Sequence, residues 1–427
     1  MKTTPDDNRA GGGMKHFHGA DYVKITVFGF ALSALWQSLH IIILPLRLLG
    51  FSGEAQKNTY LGLLTFAGLL LAMVIQPIAG VISDRSGFSW GRRRPYVFFG
   101  TAVALLFLPG IGLAWGFTGL FISYCLLQIS TNTAQGPYQA FIPDLVPEGK
   151  KGVASGVKGL LEILGGIALI YPLAIFMDRY FLGEGSQWLW LVIGALAAVL
   201  LAAMLATVIS VKEPAPVRVS GISIRAALRQ TFKIDIRENR DFIWFLVSRL
   251  LVFMAFTTIQ QFALNFLRDV TGVNNPAEAT ARFSILAVIG MLAIVYPAGF
   301  LSDRIGRKPI AVGAGLLGAA GIAIIFFAHD YGTILVAAGV IGVSIGAFNS
   351  ANWALATDLV KKGEEARYLG LANVATAGGA ALARLIGPVI DYFNAYQAGL
   401  GDRVMLGACF AYFLVGSALL TRIKRRR

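Results

Sequence analysis

Charge is scarce in this chain, and acidic charge is the scarcest. Only 14% of the 427 residues are charged, with 23 Asp and Glu against 37 Lys and Arg, while 56% are hydrophobic. A soluble protein of this length needs more polar surface to cover its core. The two cysteines, Cys125 and Cys409, lie inside apolar runs, so we interpret them as small apolar residues and expect no disulfide framework. No zinc, phosphate-loop or nucleophile-elbow spacing occurs, so we expect no metal, no cofactor and no enzymatic function.

Apolar runs recur along the whole length. Each is about 20 residues long, enough to cross roughly 30 Å of hydrocarbon. The polar, Gly-rich stretch before the first run has no cleavage site, so we expect the first span to be retained. The sequence therefore predicts an all-α integral membrane protein with twelve spans, at 22–48, 57–82, 95–115, 119–143, 152–177, 187–210, 241–267, 280–301, 309–328, 333–357, 367–390 and 403–421.

The formal net charge of +14 does not indicate a nucleic-acid partner. If both termini lie in the cytoplasm, most Lys and Arg fall on the cytoplasmic side, and Arg249 and Arg384 lie deep within spans. This asymmetry follows the positive-inside rule. We therefore expect a monomeric multi-pass protein of the inner or plasma membrane, with both termini cytoplasmic and the lipid bilayer as its surroundings.

Two short stretches of the sequence are nearly the same. Residues 80–85 are GVISDR and run on to GRRRP at 91–95, while residues 299–304 are GFLSDR and run on to GRKP at 306–309. Each stretch lies between two apolar runs. The same basic hairpin, found twice about half a chain apart, indicates a duplicated bundle of helices, and duplicated bundles are typical of transporters.

One constant shift aligns the two halves beyond the hairpins. It carries Pro95 to Pro309 and Asp144 to Asp358. Parallel halves of this kind rock against each other around a site near the middle of the membrane. We predict a six-helix bundle at 1–211, a cytoplasmic linker with an interfacial helix at 212–240, and a second six-helix bundle at 241–427.

The basic hairpins also place Asp and Arg together at the membrane edge. Ion pairs there can break and re-form during a conformational change, and an Asp can face the N-terminus of a helix. The simpler interpretation is that these charges only orient the protein, but the doubled Asp favours a gate. We predict an inner gate formed by Asp84, Arg85, Arg92, Arg93, Arg94 and Asp144, and in the second half by Asp303, Arg304, Arg307, Lys308 and Asp358.

The hairpins resemble the loop signature of the major facilitator superfamily. The first half shows a more specific resemblance. It is similar to the plant sucrose transporters and their bacterial relatives, within or near the glycoside-pentoside-hexuronide group, at Gln76-Pro77 before the hairpin and at Gln135-Gly136-Pro137 in span four. The resemblance implies the two-bundle fold of that superfamily and sugar transport coupled to protons.

One departure from this resemblance concerns coupling. Sucrose–proton symporters of that group carry an Asp seven residues before the Gln-Gly-Pro, where this chain has Gln128, and the cation-binding Asp pair of melibiose-type carriers is missing. Glu162 in span five is the replacement candidate, since a charge at that depth is costly unless it is paired or wet. Lys158 lies one turn away, so the alternative is a static ion pair within one helix.

Arg249 and Arg384 leave the substrate class open. Counting Lys158, three deep cations face one deep carboxylate. Either carboxylates at the helix ends reach these cations, or the cavity is electropositive and suits a hexuronide or another organic anion. A neutral sugar also fits, because Arg donates hydrogen bonds to hydroxyl groups.

The uncharged polar residues within the spans suggest a sugar site. Amides offer donors and acceptors to hydroxyl groups, and an aromatic ring covers the apolar face of a pyranose. Buried amides also join helices, so each one alone is ambiguous. The predicted substrate-binding residues are Trp36, Gln37, His40, Gln128, Asn132, Gln135, Arg249, Gln260, Gln261, Asn349, Asn352, Trp353, Asn373 and Arg384.

The sequence thus predicts a proton-coupled carrier of a glycoside or disaccharide, with Glu162 as the coupling group. An uncoupled facilitator, suggested by Gln128, and a carrier of anionic sugars or organic acids, suggested by the two deep arginines, remain alternatives.

Overall fold

The computed structural model describes residues 18–213, 240–328, 330–359 and 365–423, and every regular element in these residues is helical. Most of the predicted linker therefore lies outside the described residues. The helices of the first half are α1 (Gly19–Ser38), α2 (Leu44–Ser52), α3 (Lys57–Asp84), α4 (Arg94–Leu113), α5 (Phe117–Gln139), α6 (Phe141–Leu145), α7 (Lys151–Ala168), α8 (Ile170–Phe181) and α9 (Gln187–Ser210).

The second half has a similar succession. Its helices are α10 (Arg240–Thr271), α11 (Pro276–Ile305), α12 (Arg307–Phe327), α13 (Tyr331–Leu359), α14 (Glu365–Arg384), α15 (Gly387–Tyr396) and α16 (Leu400–Thr421). Eleven helical segments of the described residues are long and apolar enough to cross a membrane. The predicted fourth span corresponds to α5, which is 23 residues long but carries amides and hydroxyls that lower its mean hydropathy.

Three spans are not continuous α-helices, and proline explains two of the breaks. Pro172 and Pro388 lack the N–H that would bond to the residue four positions earlier, and their rings clash with its carbonyl. The helices α7 and α14 accordingly end at Ala168 and Arg384, four residues before each proline, and α8 and α15 continue the spans. The first span contains a π-helical turn at Leu39–Ile43 that joins α1 to α2.

Close backbone contacts hold equivalent helices together in the two halves. A Cβ added to Gly165 of α7 would overlap the carbonyl of Phe30 on α1, and one added to Gly379 of α14 would overlap the carbonyl of Leu250 on α10. The repeat shift carries Gly165 to Gly379. Glycine is required at both crossings because any larger residue would separate the helices.

The bundle has two ends, which we name by their residues. The basic end carries the hairpins at 84–94 and 305–307, and the distal end carries the starts of α3 and α11. The polar contacts between the halves cluster at the distal end, for example Asn265 Nδ2 to Asn58 Oδ1 at 2.8 Å and Lys57 Nζ to Asp269 Oδ2 at 2.5 Å. The structure is therefore closed at the distal end.

Candidate functional site

A line of hydrogen bonds between neutral polar side chains runs through the first half. Nε2 of Gln76 donates to Oδ1 of Asn132 at 2.8 Å, and Nδ2 of Asn132 donates to Oε1 of Gln128 at 2.8 Å. Nε2 of Gln128 donates to the hydroxyl of Tyr124 at 2.8 Å, and this hydroxyl lies 2.9 Å from Nε2 of His40. Because the hydroxyl accepts from Gln128, its own proton is free to be donated to His40.

Trp36 covers one end of this line. Its ring stacks on the imidazole of His40, with centroids 5.3 Å apart, and meets the ring of Tyr124 edge to face at 6.1 Å. Trp36 and His40 are one turn apart and both partly exposed. The group presents an aromatic surface beside several donors and acceptors, which suits a solute with hydroxyl groups.

A second cluster surrounds Arg249 in the other half. Its guanidinium donates from Nε to Oγ1 of Thr376 at 2.8 Å and from a terminal nitrogen to Oδ1 of Asn352 at 2.6 Å. The rings of Phe253 and Trp353 lie 5.0 and 5.4 Å from the guanidinium carbon. Arg249 is only 3% exposed. Its guanidinium is held by hydrogen bonds to neutral acceptors and by cation–π contacts.

Arg384 carries positive charge from the second half toward the first. One terminal nitrogen donates to the carbonyl of Ala380 on its own helix, and its Nε has no hydrogen-bond partner among the described residues. Its guanidinium is within electrostatic range of His40 and Tyr124. Within the described part of the chain, neither Arg249 nor Arg384 pairs with a carboxylate, so the region between the clusters is electropositive.

The remaining predicted polar residues are more scattered. Gln37 packs against Gly166 of α7, and the buried Gln261 has no partner for its Nε2 among the described residues. The others are the half-buried Gln135 and Gln260 and the exposed Asn349 and Asn373. Among the described residues, none of these side chains is hydrogen-bonded to either cluster.

Glu162 lies in a pair with Lys158. Oε1 of Glu162 is 3.4 Å from Nζ of Lys158, and the two side chains are 35% and 24% exposed, respectively. The ammonium group lies 5.9 Å from the ring centroid of Tyr138, and the Glu162 side chain contacts Gly29. This geometry agrees with both interpretations of the sequence, because the pair is formed within one helix and its carboxylate is partly exposed.

Arg93 organises the basic end of the first half. A terminal nitrogen of Arg93 is 2.5 Å from Oδ1 of Asp84 and 2.9 Å from Oδ2 of Asp144, and Arg92 reaches the same Asp144 oxygen at 2.6 Å. Arg94 donates to a carbonyl at the end of α9. Arg85 follows α3 and is exposed. These bonds connect α3, α4 and α6 within one half.

The second half repeats only part of this pattern. Arg307 is 2.5 Å from Oδ1 of Asp358, which is the repeat equivalent of the contact between Arg93 and Asp144. Lys308 donates to two carbonyls at the end of α16, as Arg94 does for α9. Arg304 lies over an aromatic ring of α11, and Asp303 is exposed without an ion pair among the described residues. The two hairpins are therefore not equivalent.

Sequence reasoning missed Glu213, which lies just after α9. Its carboxylate accepts the backbone N–H groups of Arg92 at 2.7 Å, Arg93 at 2.8 Å and Arg94 at 2.7 Å. A carboxylate is favoured at the N-terminus of a helix, here α4, by the unpaired N–H groups and the dipole. No local signal in the sequence links Glu213 to a hairpin so far away in the chain.

Charged side chains surround the contact at the distal end. Arg268 of α10 pairs with Oε2 of Glu54 in the first half, and Nζ of Lys57 lies 2.7 Å from the same oxygen. Partial burial raises the pKa of Glu54, but the hydrogen bonds from Lys57 and Arg268 outweigh it and hold the pKa below its usual value. Glu54 is therefore ionised in these pairs near neutral pH.

Comparison with known proteins identifies the family. The model of the Major Facilitator Superfamily matches residues 25–383, with a second match at 286–427. The chain belongs to this superfamily. The resemblance of the hairpins to this superfamily and the predicted all-α fold are both confirmed.

Curated relatives match parts of the chain. The minor myo-inositol transporter IolF of Bacillus subtilis (strain 168) is 34% identical over 149 residues, which cover 35% of this chain and 31% of that protein. The sucrose transport protein SUT1 of Oryza sativa subsp. japonica is 33% identical over 112 residues, or 21% of each chain. The matches thus span no more than about a third of these relatives.

Solved structures match nearly the whole length of this chain. The nucleoside transporter NupG covers 95% of this chain with a TM-score of 0.73 at 13% identity, and 99% of its own chain is covered. A D-xylose-proton symporter covers 95% with a TM-score of 0.69 at 14% identity, and 98% of its chain is covered. At these identities the likeness concerns the fold alone.

Proposed function

We propose that this superfamily member imports a glycoside or disaccharide by alternating access, with protons as the coupling ion. The observation that carries the proposal is the hydrogen-bonded line from His40 to Gln76, with Trp36 stacked at its end. Sugars need several donors and acceptors beside an aromatic face. Relatives named as sucrose and myo-inositol transporters support the same class of solute.

The distribution of charge supports an orientation in the cell membrane. The basic end carries the Arg-rich hairpins, and positive loops favour the cytoplasmic side. In this orientation the closed distal end faces outward, and the structure is an inward-facing state. Sugar would leave toward the cytoplasm after the distal end has closed behind it.

Coupling is assigned to Glu162. It is a carboxylate within a membrane span, its side chain is 35% exposed, and Lys158 balances its charge while the carboxylate is ionised. Protonation from outside and release inside would tie the reorientation of the carrier to the proton gradient.

The test is uptake of radiolabelled sucrose and maltose into proteoliposomes, with and without an inward proton gradient. Wild type is expected to accumulate at least one sugar only when the gradient is present. Glu162→Gln, which keeps the size of the side chain but cannot ionise, is expected to retain exchange of sugar and to lose accumulation. If Glu162→Gln accumulates sugar as wild type does, the coupling assignment is wrong.

A second candidate function follows from Arg249 and Arg384, which lack carboxylate partners among the described residues. An electropositive cavity attracts an anionic solute, such as a uronide or an organic acid. Competition separates the two candidates, because glucuronides but not neutral sugars would then inhibit uptake. Saturable uptake that ignores the gradient would instead indicate an uncoupled facilitator.

A further inference from the structure

Two buried carboxylates at the distal end were not singled out by the sequence. Asp178 lies near the end of α8 and is 4% exposed, and Asp391 lies in α15 and is 7% exposed. A buried carboxylate is costly unless its oxygens are hydrogen-bonded. Both residues must therefore have strong partners, and in both cases the partners belong to the opposite half of the protein.

Asp178 binds the start of α11. Its Oδ1 accepts the backbone N–H of Ala277 at 2.9 Å, and its Oδ2 accepts that of Glu278 at 2.7 Å. The N-cap residue of α11, Asn275, makes no capping hydrogen bond with its own side chain. The first N–H groups of a helix have no partner within the helix, so a carboxylate of the first half supplies the missing cap.

Asp391 does the same for α3 from the other direction. Its Oδ2 accepts the backbone N–H of Thr59 at 2.6 Å, and its Oδ1 accepts Nδ2 of Asn58 at 2.9 Å and the backbone N–H of Asn58 at 3.4 Å. The N-cap residue of α3, Gln56, likewise makes no side-chain capping bond. Here a carboxylate of the second half caps a helix of the first.

The two caps are related by the internal repeat. The shift that carries Asp144 to Asp358 carries Asp178 to the residue after Asp391, and α3 and α11 form the second membrane spans of their halves. The carboxylate of each half thus caps the equivalent helix of the other half. The arrangement is reciprocal, so both caps are lost together when the halves separate at the distal end.

We infer that Asp178 and Asp391 are positioning residues that hold the distal end closed by capping helices across the two halves. Their hydrogen bonds exist only while the halves touch at this end, so they favour the distal-closed state over the distal-open state. An interaction present in one state alone shifts the equilibrium between states by its whole free energy. The inference rests on alternating access and is independent of which solute is carried.

The experiment measures accessibility at both ends of the bundle, in protein with Cys125 and Cys409 replaced by Ala. Thr65→Cys reports the distal end, because Thr65 is 1% exposed on the face of α3 that carries Asn58. Ser155→Cys reports the basic end, because Ser155 is exposed on the face of α7 that carries Lys158 and Glu162. The rate of labelling by a water-soluble maleimide is followed at each site in detergent.

Asp178→Asn and Asp391→Asn are each expected to raise the labelling rate at Thr65→Cys by roughly five- to tenfold, the range expected for loss of a charged helix cap. The rate at Ser155→Cys should fall in the same variants, because a shift between states opens one end as it closes the other. Asp402→Asn is the matched control. Asp402 is 3% exposed at the same end, but its side-chain hydrogen bond is to Asn394 within its own half, and its charge faces both Lys57 of the first half and Asp269 of its own, so both rates should change much less than in the other two variants.

Rescue separates positioning from simple helix stability. Asn275→Asp gives α11 an N-cap carboxylate of its own, which restores the helix but not the bond between the halves. Added to Asp178→Asn, it should leave the labelling pattern shifted. Rates that match those of Asp402→Asn, a parallel rise at both reporters, or correction of the pattern by Asn275→Asp would each overturn the inference.

Discussion

At the scale of single residues, spacing along a helix predicted one side of the polar cluster but not its centre. Gln128 and Asn132 recur at helical spacing, which places them on one face of α5. Tyr124 lies on the same face, but a tyrosine in an apolar span resembles ordinary core packing. Its part in the line depends on His40, which is supplied by another helix. No pattern within α5 carries that contact.

Removal of the Tyr124 hydroxyl tests whether this line binds the substrate. Tyr124→Phe keeps the ring beside Trp36 but disconnects His40 from Gln128. One hydrogen bond contributes about 1 kcal/mol, so KM for the transported sugar should rise roughly fivefold while the maximal rate changes little. Concentration-dependent uptake in proteoliposomes measures both constants.

The matched control is Tyr296→Phe, since Tyr296 is 82% exposed on α11 and distant from the line in sequence and contacts. It should leave KM at the wild-type value. Equal KM values for the two variants would remove Tyr124 from the substrate site and leave it a purely structural residue.

At the scale of elements, the hydrophobic runs predicted where the spans lie but not where they break. The predicted span at 152–177 corresponds to two helices, and so does the one at 367–390. The prolines that cause the breaks are visible in the sequence. Whether a membrane proline bends, breaks or is tolerated depends on which neighbouring groups satisfy the freed carbonyls, and these lie on other helices.

Glycines show the same limit, because only the structure distinguishes close crossings from open positions. A side chain at Gly165 would overlap the α1 backbone, whereas a Cβ at Gly159 on the same helix meets nothing within 4 Å. Gly165→Ala should therefore destabilise the protein by about 1–3 kcal/mol through overpacking. Gly159→Ala should be neutral or stabilising by up to about 1 kcal/mol, because Ala favours the helix.

Thermal unfolding in detergent, followed by fluorescence-detected size exclusion, compares the two variants directly. The repeat equivalent Gly379→Ala should behave as Gly165→Ala does, since it also faces a backbone carbonyl. If Gly165→Ala is as stable as Gly159→Ala, the helices can separate without cost and the crossing is not close-packed.

At the scale of the whole molecule, the sequence repeat predicted two related halves but not how they meet. The constant shift aligns hairpin with hairpin because both descend from one pattern of residues. Contacts between halves join positions such as Asp178 and Ala277 that no repeat pairs, and they exist in only one of the alternating states. The unequal partners of Asp84 and Asp303 are another property of the assembled bundle, since their sequence surroundings are nearly identical.

The orientation of the bundle decides what the closed distal end means for transport. The positive-inside rule places the basic end in the cytoplasm, so an impermeant maleimide added to intact cells should label Ala55→Cys at the distal end and not Ser89→Cys in the first hairpin. Both positions are exposed, so access to the reagent alone separates them, and the background again has Cys125 and Cys409 replaced by Ala. In permeabilised cells both positions should be labelled, which shows that each thiol is reactive.

Labelling of Ser89→Cys alone in intact cells would invert the topology. The distal-closed structure would then be open to the outside, and uptake would begin from the state described here instead of ending in it.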